Sequence, residues 1–472
     1  MVLELLGTRV VSPYMGSSLY VWTALIGVVL GCLSLGYYIG GELSKKDVSF
    51  KLFSDLVFYS AVWVLFMVLL KELLLTFIVV LVPIGYAQAL IAALILFGPP
   101  SILLGAASPY AARLLIQNVK SSGVTVGRLY ALSTLGSITG TFLTGFLLVP
   151  LFGHTRILYG IAFLLCAVSV LLSRNKLFLK IVFLLLCLLG IQALWVIKTN
   201  ENSQIVLDID TSYSRILLAD IPEGKKIERN MIIDGAFSSA VVLGDRKTLP
   251  FAYYKFYDLM FWNKNVKDAL MIGGAGMGYP RYTQEMYPDM QMTVVEIDPK
   301  QYELALQYMD YTPSKNTAIV QMDGRVYLNS NTKKYDAILF DVFSAHAIPP
   351  HLASIEVARE VQRALTQDGI VVLNMHGAIE GEKSIAAQAI TATYKEVFKN
   401  VEVFAVSSIH DKKLLQNLML VASDTSLDSK KNLLSADGKK LLSSRINFIT
   451  THSVLTDDWS PVDNYSFRIR GH

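Results

Sequence analysis

The residues best placed to do chemistry lie in the C-terminal half. Gly273, Gly274, Gly276 and Gly278 crowd one tight turn, with Gly274-x-Gly276-x-Gly278 at its centre. Glycine at that spacing lets a backbone take left-handed angles and come close to a ligand. About 20 residues on, an apolar run ends at Glu296, in Glu296-Ile297-Asp298, where an acid can grip a ribose hydroxyl. Three more apolar runs end on polar residues, at Asp323-Gly324, at Asp341 and at Asn374. Together these predict a nucleoside crevice with a carboxylate, Asp341, free to act as general base. A glycine-rich turn that only packs, and an aspartate that only caps its strand, are the plainer alternatives. His346, His351 and His376 follow close by, and one could assist as base, although structural roles account for them equally. Their spacing matches no metal-ligand pattern, so no metal is expected. Asp457, Asp458 and Trp459 could close over the crevice or simply form a surface turn.

The elements that must hold these residues follow from hydropathy period. Ala269–Ile272, Met292–Val295, Ala318–Met322, Ala337–Phe340 and Ile370–Leu373 read as buried strands of a doubly wound sheet, with ligands expected beyond their carboxyl ends. Gln204–Val242 alternates apolar and polar residues around turn signals and reads as a small antiparallel sheet. A helix is expected over Tyr253–Phe261.

Composition divides the chain. Its 472 residues are 53% hydrophobic and only 17% charged, against about a quarter charged for a soluble domain. The apolar excess lies before residue 198. The expected organisation is a transmembrane helical domain over 1–198, a small antiparallel β-subdomain over 199–250, and a Rossmann-like domain over 251–472. About seven spans are expected, near 18–40, 52–70, 73–97, 101–117, 128–150, 155–172 and 177–197. Pro83, Pro99, Pro100 and Pro109 predict kinks or breaks. The lysines at 45, 46 and 51 and the basic residues at 174, 176 and 180 assign conflicting sides, so charge leaves the orientation open. The globular domain is placed in the cytoplasm, where nucleoside metabolites are made, on a multi-pass cell-membrane protein. The net charge of +4 has no basic block, and nucleic acid is not an expected partner. Cys32, Cys166 and Cys187 all lie in apolar segments, which excludes a disulfide framework in the globular half.

The chain resembles the spermidine synthases (polyamine aminopropyltransferases), in the form fused to an N-terminal multi-span membrane domain. The likeness rests on the glycine turn and Val295-Glu296-Ile297-Asp298, on Asp323-Gly324, on Ile348-Pro349-Pro350-His351-Leu352, and on Leu455-Thr456-Asp457-Asp458-Trp459-Ser460-Pro461. It implies a class I AdoMet-dependent transferase fold preceded by the small sheet. It also implies S-adenosylmethionine (AdoMet) or its decarboxylated form as co-substrate. Glu296 would hold the ribose, Asp323 the adenine amino group, and Asp341 would take a proton from the attacking amine. Tyr213, Asp234 and Tyr253 would fall where the small sheet closes over substrates. A homodimer is among the assemblies it implies. Three positions depart from the family pattern. The acid expected in the glycine turn is Gly276, the second loop acid is Ser344, and the acid of Tyr-x-Glu is Lys255. A polyamine is a cation and needs desolvated carboxylates, and each charge-assisted bond lost costs about 1.5–3 kcal/mol. Ordinary putrescine aminopropylation is therefore disfavoured. The expected function is methyl or aminopropyl transfer to a small-molecule or lipid acceptor, the lipid bilayer being the protein's setting. Two alternatives stay open: true aminopropyl transfer with Asp234 and Asp458 supplying acids, and a non-catalytic nucleoside sensor or transporter.

Overall fold

The computed structural model describes residues 1–16, 19–45, 48–116, 122–196, 204–262, 265–343, 348–427, 434–450, 453–462 and 465. It divides into two compact units. One comprises Met1–Ser203 with Leu207–Ile216, and the other Gln204–Val206 with Leu217–His472.

The first unit is helical: α1 Val2–Met15, α2 Leu19–Leu43, α3 Phe50–Leu81, α4 Gly85–Leu115, α5 Ser122–Leu143, a π-helical turn at Thr144–Leu148, α6 Val149–Phe152, α7 His154–Leu172 and α8 Leu177–Val196. Among the described residues, five segments are long and apolar enough to cross a membrane: α2, α3, α4, Ser122–Leu148 and α7. The three spans expected between 52 and 117 are two helices, of 32 and 31 residues. The chain leaves helical geometry at Val82–Ile84, around Pro83, since proline disfavours helix in the residue before it. Pro99, Pro100 and Pro109 lie inside α4. Lys71-Glu72 does not break α3, because the Lys71 ammonium donates to Thr155 at 2.7 Å and reaches His154 at 2.9 Å. α2 and α4 pack backbone to backbone: a Cβ on Gly36 would lie 2.3 Å from the Ile102 carbonyl oxygen, and one on Gly40 2.2 Å from that of Ala106. Lipid-type helix packing selects such small residues.

The second unit is built on a mixed sheet of eight strands, in the order β12-β10-β11-β9-β8-β5-β6-β7. These are β5 Asp268–Ile272, β6 Gln291–Glu296, β7 Thr317–Gln321, β8 Tyr335–Phe340, β9 Leu365–Gly377, β10 Asn400–Ala405, β11 Gln416–Ser423 and β12 Arg445–Ile446. β7-β6-β5-β8-β9 run parallel, and β11 returns antiparallel on β9. Helices α9 Gly278–Met286, α10 Pro299–Tyr308, α11 Gly324–Ser330, α12 Ile355–Ala364 and α13 Ile385–Lys395 alternate with the strands. β8 is buried at every residue, which is why these strands read as unbroken apolar runs. The strand order reverses between β5 and β8, and the crevice opens at that reversal.

Ahead of this sheet, β1 Ile205–Asp210, β2 Arg215–Glu223, β3 Lys226–Ile233 and β4 Ala236–Val242 form an antiparallel sheet in sequential order. The segment Leu207–Ile216, which holds most of β1, the turn after it and the start of β2, groups with the helical unit. Asp234 (φ 47°) and Gly235 (φ 83°) form the two-residue turn joining β3 to β4, a left-handed pair that suits hairpin twist. The helix expected at Tyr253–Phe261 is a 3-10 helix, Ala252–Phe261.

Candidate active site

β5 delivers the chain to the glycine turn at the switch point. Gly273 has φ 86°, and a Cβ there would lie 2.2 Å from the Asp341 carbonyl oxygen. Only glycine lets the ends of β5 and β8 pass this closely. The turn closes when the Met277 amide donates to the Gly274 carbonyl at 2.8 Å. Ala275 (φ 39°) and Met277 (φ 58°) are also left-handed, strain that persists where the surroundings over-determine it. Gly276 is enclosed. A Cβ there would sit 2.9 Å from Met309 Cε and 3.1 Å from Ser239 Oγ.

Glu296 ends β6 and is buried. Its Oε2 accepts from the amides of Gly274 and Ala275, each at 3.0 Å, and its Oε1 from the Asp298 amide at 3.1 Å. Burial raises its pKa, and these three amides oppose the rise. A carboxylate accepts about four hydrogen bonds, so one acceptor site remains. Asp298 instead caps α10, accepting from the Lys300 amide. Asp323 caps α11 through Oδ1, accepting from Arg325 and Val326, while its Oδ2 lies 3.2 Å from His351 Nε2. Gly324 opens that helix and packs over Ile272.

Asp341 follows the end of β8 and keeps a partial opening to solvent. Tyr253 donates its hydroxyl to Oδ2 at 3.1 Å, and Asn374 donates its amide to Oδ1 at 3.0 Å. Desolvation pushes the carboxyl up to about 6, while the bonds from Asn374, Tyr253 and Tyr257 oppose it and the Glu296 charge adds to the rise. A base titrating there is ionised at neutral pH and still takes a proton readily. Burial, with the Asp341 charge second, holds the Tyr253 hydroxyl well above its usual range, so it stays a donor.

The glycine turn, Glu296, Asp341, Tyr253 and Asn374 therefore meet at one end of the parallel sheet, and Asp323 pairs with His351 at the start of α11. Tyr213 is exposed in the β1–β2 turn, within the Leu207–Ile216 segment that groups with the helical unit. Asp234 sits at the β3–β4 tip, and Asp458 is exposed. Asp457 pairs with Arg325 at 2.9 Å. His376 is partly buried on β9, which lowers its pKa. His346 and Ser344 lie outside the described residues. Lys255 is exposed on the 3-10 helix. Two contributors carried no signal in the sequence. Ser239 bonds the Tyr254 hydroxyl at 3.2 Å, and Asn417 donates to Asn374 at 2.9 Å. Both sit on strands whose alternation marks burial, not chemistry.

Residues 259–431 match the spermine/spermidine synthase domain. The C-terminal region carries a spermine/spermidine synthase domain. The chain is 30% identical over 163 residues to a polyamine aminopropyltransferase of Vibrio vulnificus, covering 34% of this chain and 53% of that protein. It is 33% identical over 118 residues to an N-terminal histidine N-methyltransferase of Emericella nidulans, covering 24% of this chain and 20% of that one. The chain thus spans about half the length of the first relative and a smaller part of the second. A probable spermidine synthase structure from Corynebacterium glutamicum superposes with a TM-score of 0.44 at 22% identity, over 56% of this chain and 93% of that one. The match begins inside the 3-10 helix, so the synthase domain contains the glycine turn, Glu296, Asp323, Asp341 and Asn374, whereas Tyr253 precedes it.

Proposed function

We propose that this protein is a membrane-bound transferase that binds intact AdoMet and moves its methyl group to an acceptor dissolved in or bound to the bilayer. The observation that carries the donor choice is Gly276. It bears no acid, so this position of the turn offers nothing to hold an aminopropyl ammonium. The N-terminal end of α9, beside that turn, instead suits the donor's carboxylate.

The donor supplies an electrophilic carbon on a sulfonium, a good leaving group. The protein's share is then position and one proton. Glu296 has one acceptor site left for the ribose, and Asp323 lies where the adenine amino group would bind. Asp341 Oδ2 and Oδ1, steadied by Tyr253 and Asn374, face the acceptor as the base that removes its proton. The five apolar helices would hold this chemistry at a lipid surface.

Calorimetry with AdoMet, decarboxylated AdoMet and methylthioadenosine tests the donor. Intact AdoMet should bind at least about ten-fold tighter than the decarboxylated form, a difference of about 1.4 kcal/mol. Mass spectrometry of purified protein with AdoMet and a lipid extract tests the reaction. Methyl transfer releases S-adenosylhomocysteine, whereas aminopropyl transfer from the decarboxylated donor releases methylthioadenosine. Tighter binding of the decarboxylated donor with methylthioadenosine release would return the protein to polyamine chemistry, which the aminopropyltransferase relatives favour. Donor binding with neither by-product would make it a nucleoside sensor.

A further inference from the structure

Asp341 ends a chain of amides that runs out of the crevice into the antiparallel edge of the sheet. Asn374 Nδ2 donates to Asp341 Oδ1 at 3.0 Å, and Asn417 Nδ2 donates to Asn374 Oδ1 at 2.9 Å. Asn374 is 2% exposed. Asn417 lies on β11 opposite His376, one diagonal step from Asn374 across the β9–β11 ladder, within reach for side chains on one sheet face.

The order of donors is set from the carboxylate outward. An ionised carboxyl only accepts. Tyr253 already donates to its other oxygen, so Asn374 must present its NH2 group to Oδ1. Its carbonyl oxygen then faces β11 and needs a donor. Asn417 supplies one. Turned over, Asn374 would set its own oxygen against Asp341, an arrangement that is favourable only when Asp341 is protonated. An amide with no preference between its two ends would therefore leave the charge state of Asp341 unspecified.

We propose that Asn417 is a positioning residue that locks the Asn374 amide with its NH2 toward Asp341 and so holds that carboxylate ready to accept a proton. The role rests on the reading of Asp341 as the base. The other titratable groups facing Asp341 are Tyr253, Tyr254 and Tyr257 on the 3-10 helix and Glu296 at the end of β6. His376 follows two residues after Asn374 on β9. Asn417 touches none of the reacting groups, so its influence must pass through Asn374.

The test is an infrared titration of the Asp341 carboxyl in the detergent-solubilised full chain, with the band assigned by its loss in Asp341→Asn. Asn417→Asp offers only acceptors, which turns the Asn374 NH2 toward β11. The Asp341 titration should then move up by about one pH unit, the size of one charge-assisted hydrogen bond. Asn417→Leu removes the partner without replacing it and should move the titration in the same direction by less. Asn417→Gln keeps a donor and should restore the wild-type midpoint. Unmoved midpoints in both the Asp and Leu variants, with AdoMet affinity intact, would overturn the proposal. So would an equal shift in all three variants, which marks a packing role. The readout needs no turnover. A shift in a protein that releases no donor by-product leaves the relay standing and removes only the enzymatic reading.

Discussion

Two carboxylates set the two units apart. Asp341 in the synthase domain is held by neutral donors, the Tyr253 hydroxyl and the Asn374 amide. Asp210, at the end of β1 in the helical unit, is held by His154, whose Nδ1 lies 2.9 Å from Oδ2 and whose backbone amide donates to Oδ2 at 3.0 Å. Lys71 meets the far side of that imidazole at 2.9 Å, and Arg215 pairs with Asp208 two residues before Asp210. Burial pushes both carboxyls up. At Asp210 the His154 bonds and the Arg215 charge outweigh burial, and its pKa ends below the ordinary value. At Asp341 neutral donors do not suffice, and the carboxyl rises to about 6. An imidazole and a backbone amide both donating to it, with the Arg215 charge near by, hold the Asp210 carboxylate as an anion. Neutral partners leave it able to change state. The first arrangement suits a structural tie, the second a base.

Removing each group breaks the comparison most directly. Asp341→Asn keeps the shape and loses the base, so turnover should fall about 10²–10⁴-fold. Donor affinity by calorimetry should stay within about three-fold. Turnover that survives would move the base elsewhere. The same change should leave stability unchanged or slightly raised, because it removes a carboxylate that is costly to desolvate. His154→Ala should do the reverse. It strips Asp210 of its side-chain partner and leaves Lys71 with Thr155 as acceptor, costing the helical unit about 3–5 kcal/mol. The check is a thermal melt in detergent with donor binding measured alongside. A melt that does not move would mean that water replaces the imidazole at little cost.

Tyr253→Phe sharpens the contrast at smaller scale. One neutral donor is lost while Asn374 remains. The expected result is about a ten-fold loss of turnover. The acid limb of the pH–rate profile should rise by less than about one unit, since Asp341 loses a bond that favours its ionised form. An acid limb that falls would show that the hydroxyl serves the substrate and not the carboxylate.

The two sites were unequally legible in the sequence. The doubly wound sheet, the glycine turn and the acids after its strands are local patterns: an apolar run, a punctuating glycine, a polar residue at fixed spacing. Period and spacing capture those directly. The Asp210–His154–Lys71 tie joins positions far apart in the chain, and no spacing rule connects them. Lys71-Glu72 therefore read as a break between spans, when Lys71 is accommodated by a partner from α7. Asn417 was illegible for the same reason, because its meaning depends on the register of β11 against β9.

The smallest effect is the dependence of stability on pH, and here the two carboxylates act in separate windows. The Asp341 pKa is raised from 3.8 to about 6 on folding. Between those values the folded chain keeps a proton that the unfolded chain has released, so stability falls as pH rises through that window. Burial among tyrosines raises Asp258 to about 6 as well, with the same sign. Asp210 is shifted the other way. Its stabilisation is complete above 3.8 and is lost only as pH falls through its lowered folded value. It adds no slope between pH 4 and 6. Between pH 4 and 6 the wild type should therefore lose about 2 kcal/mol relative to Asp341→Asn, allowing for the partial solvent access of the carboxyl. His154→Ala should lower the whole curve. Identical slopes in the wild type and Asp341→Asn would place the Asp341 pKa near that of an ordinary carboxylate, and the distinction between a switchable and a fixed carboxylate would fail.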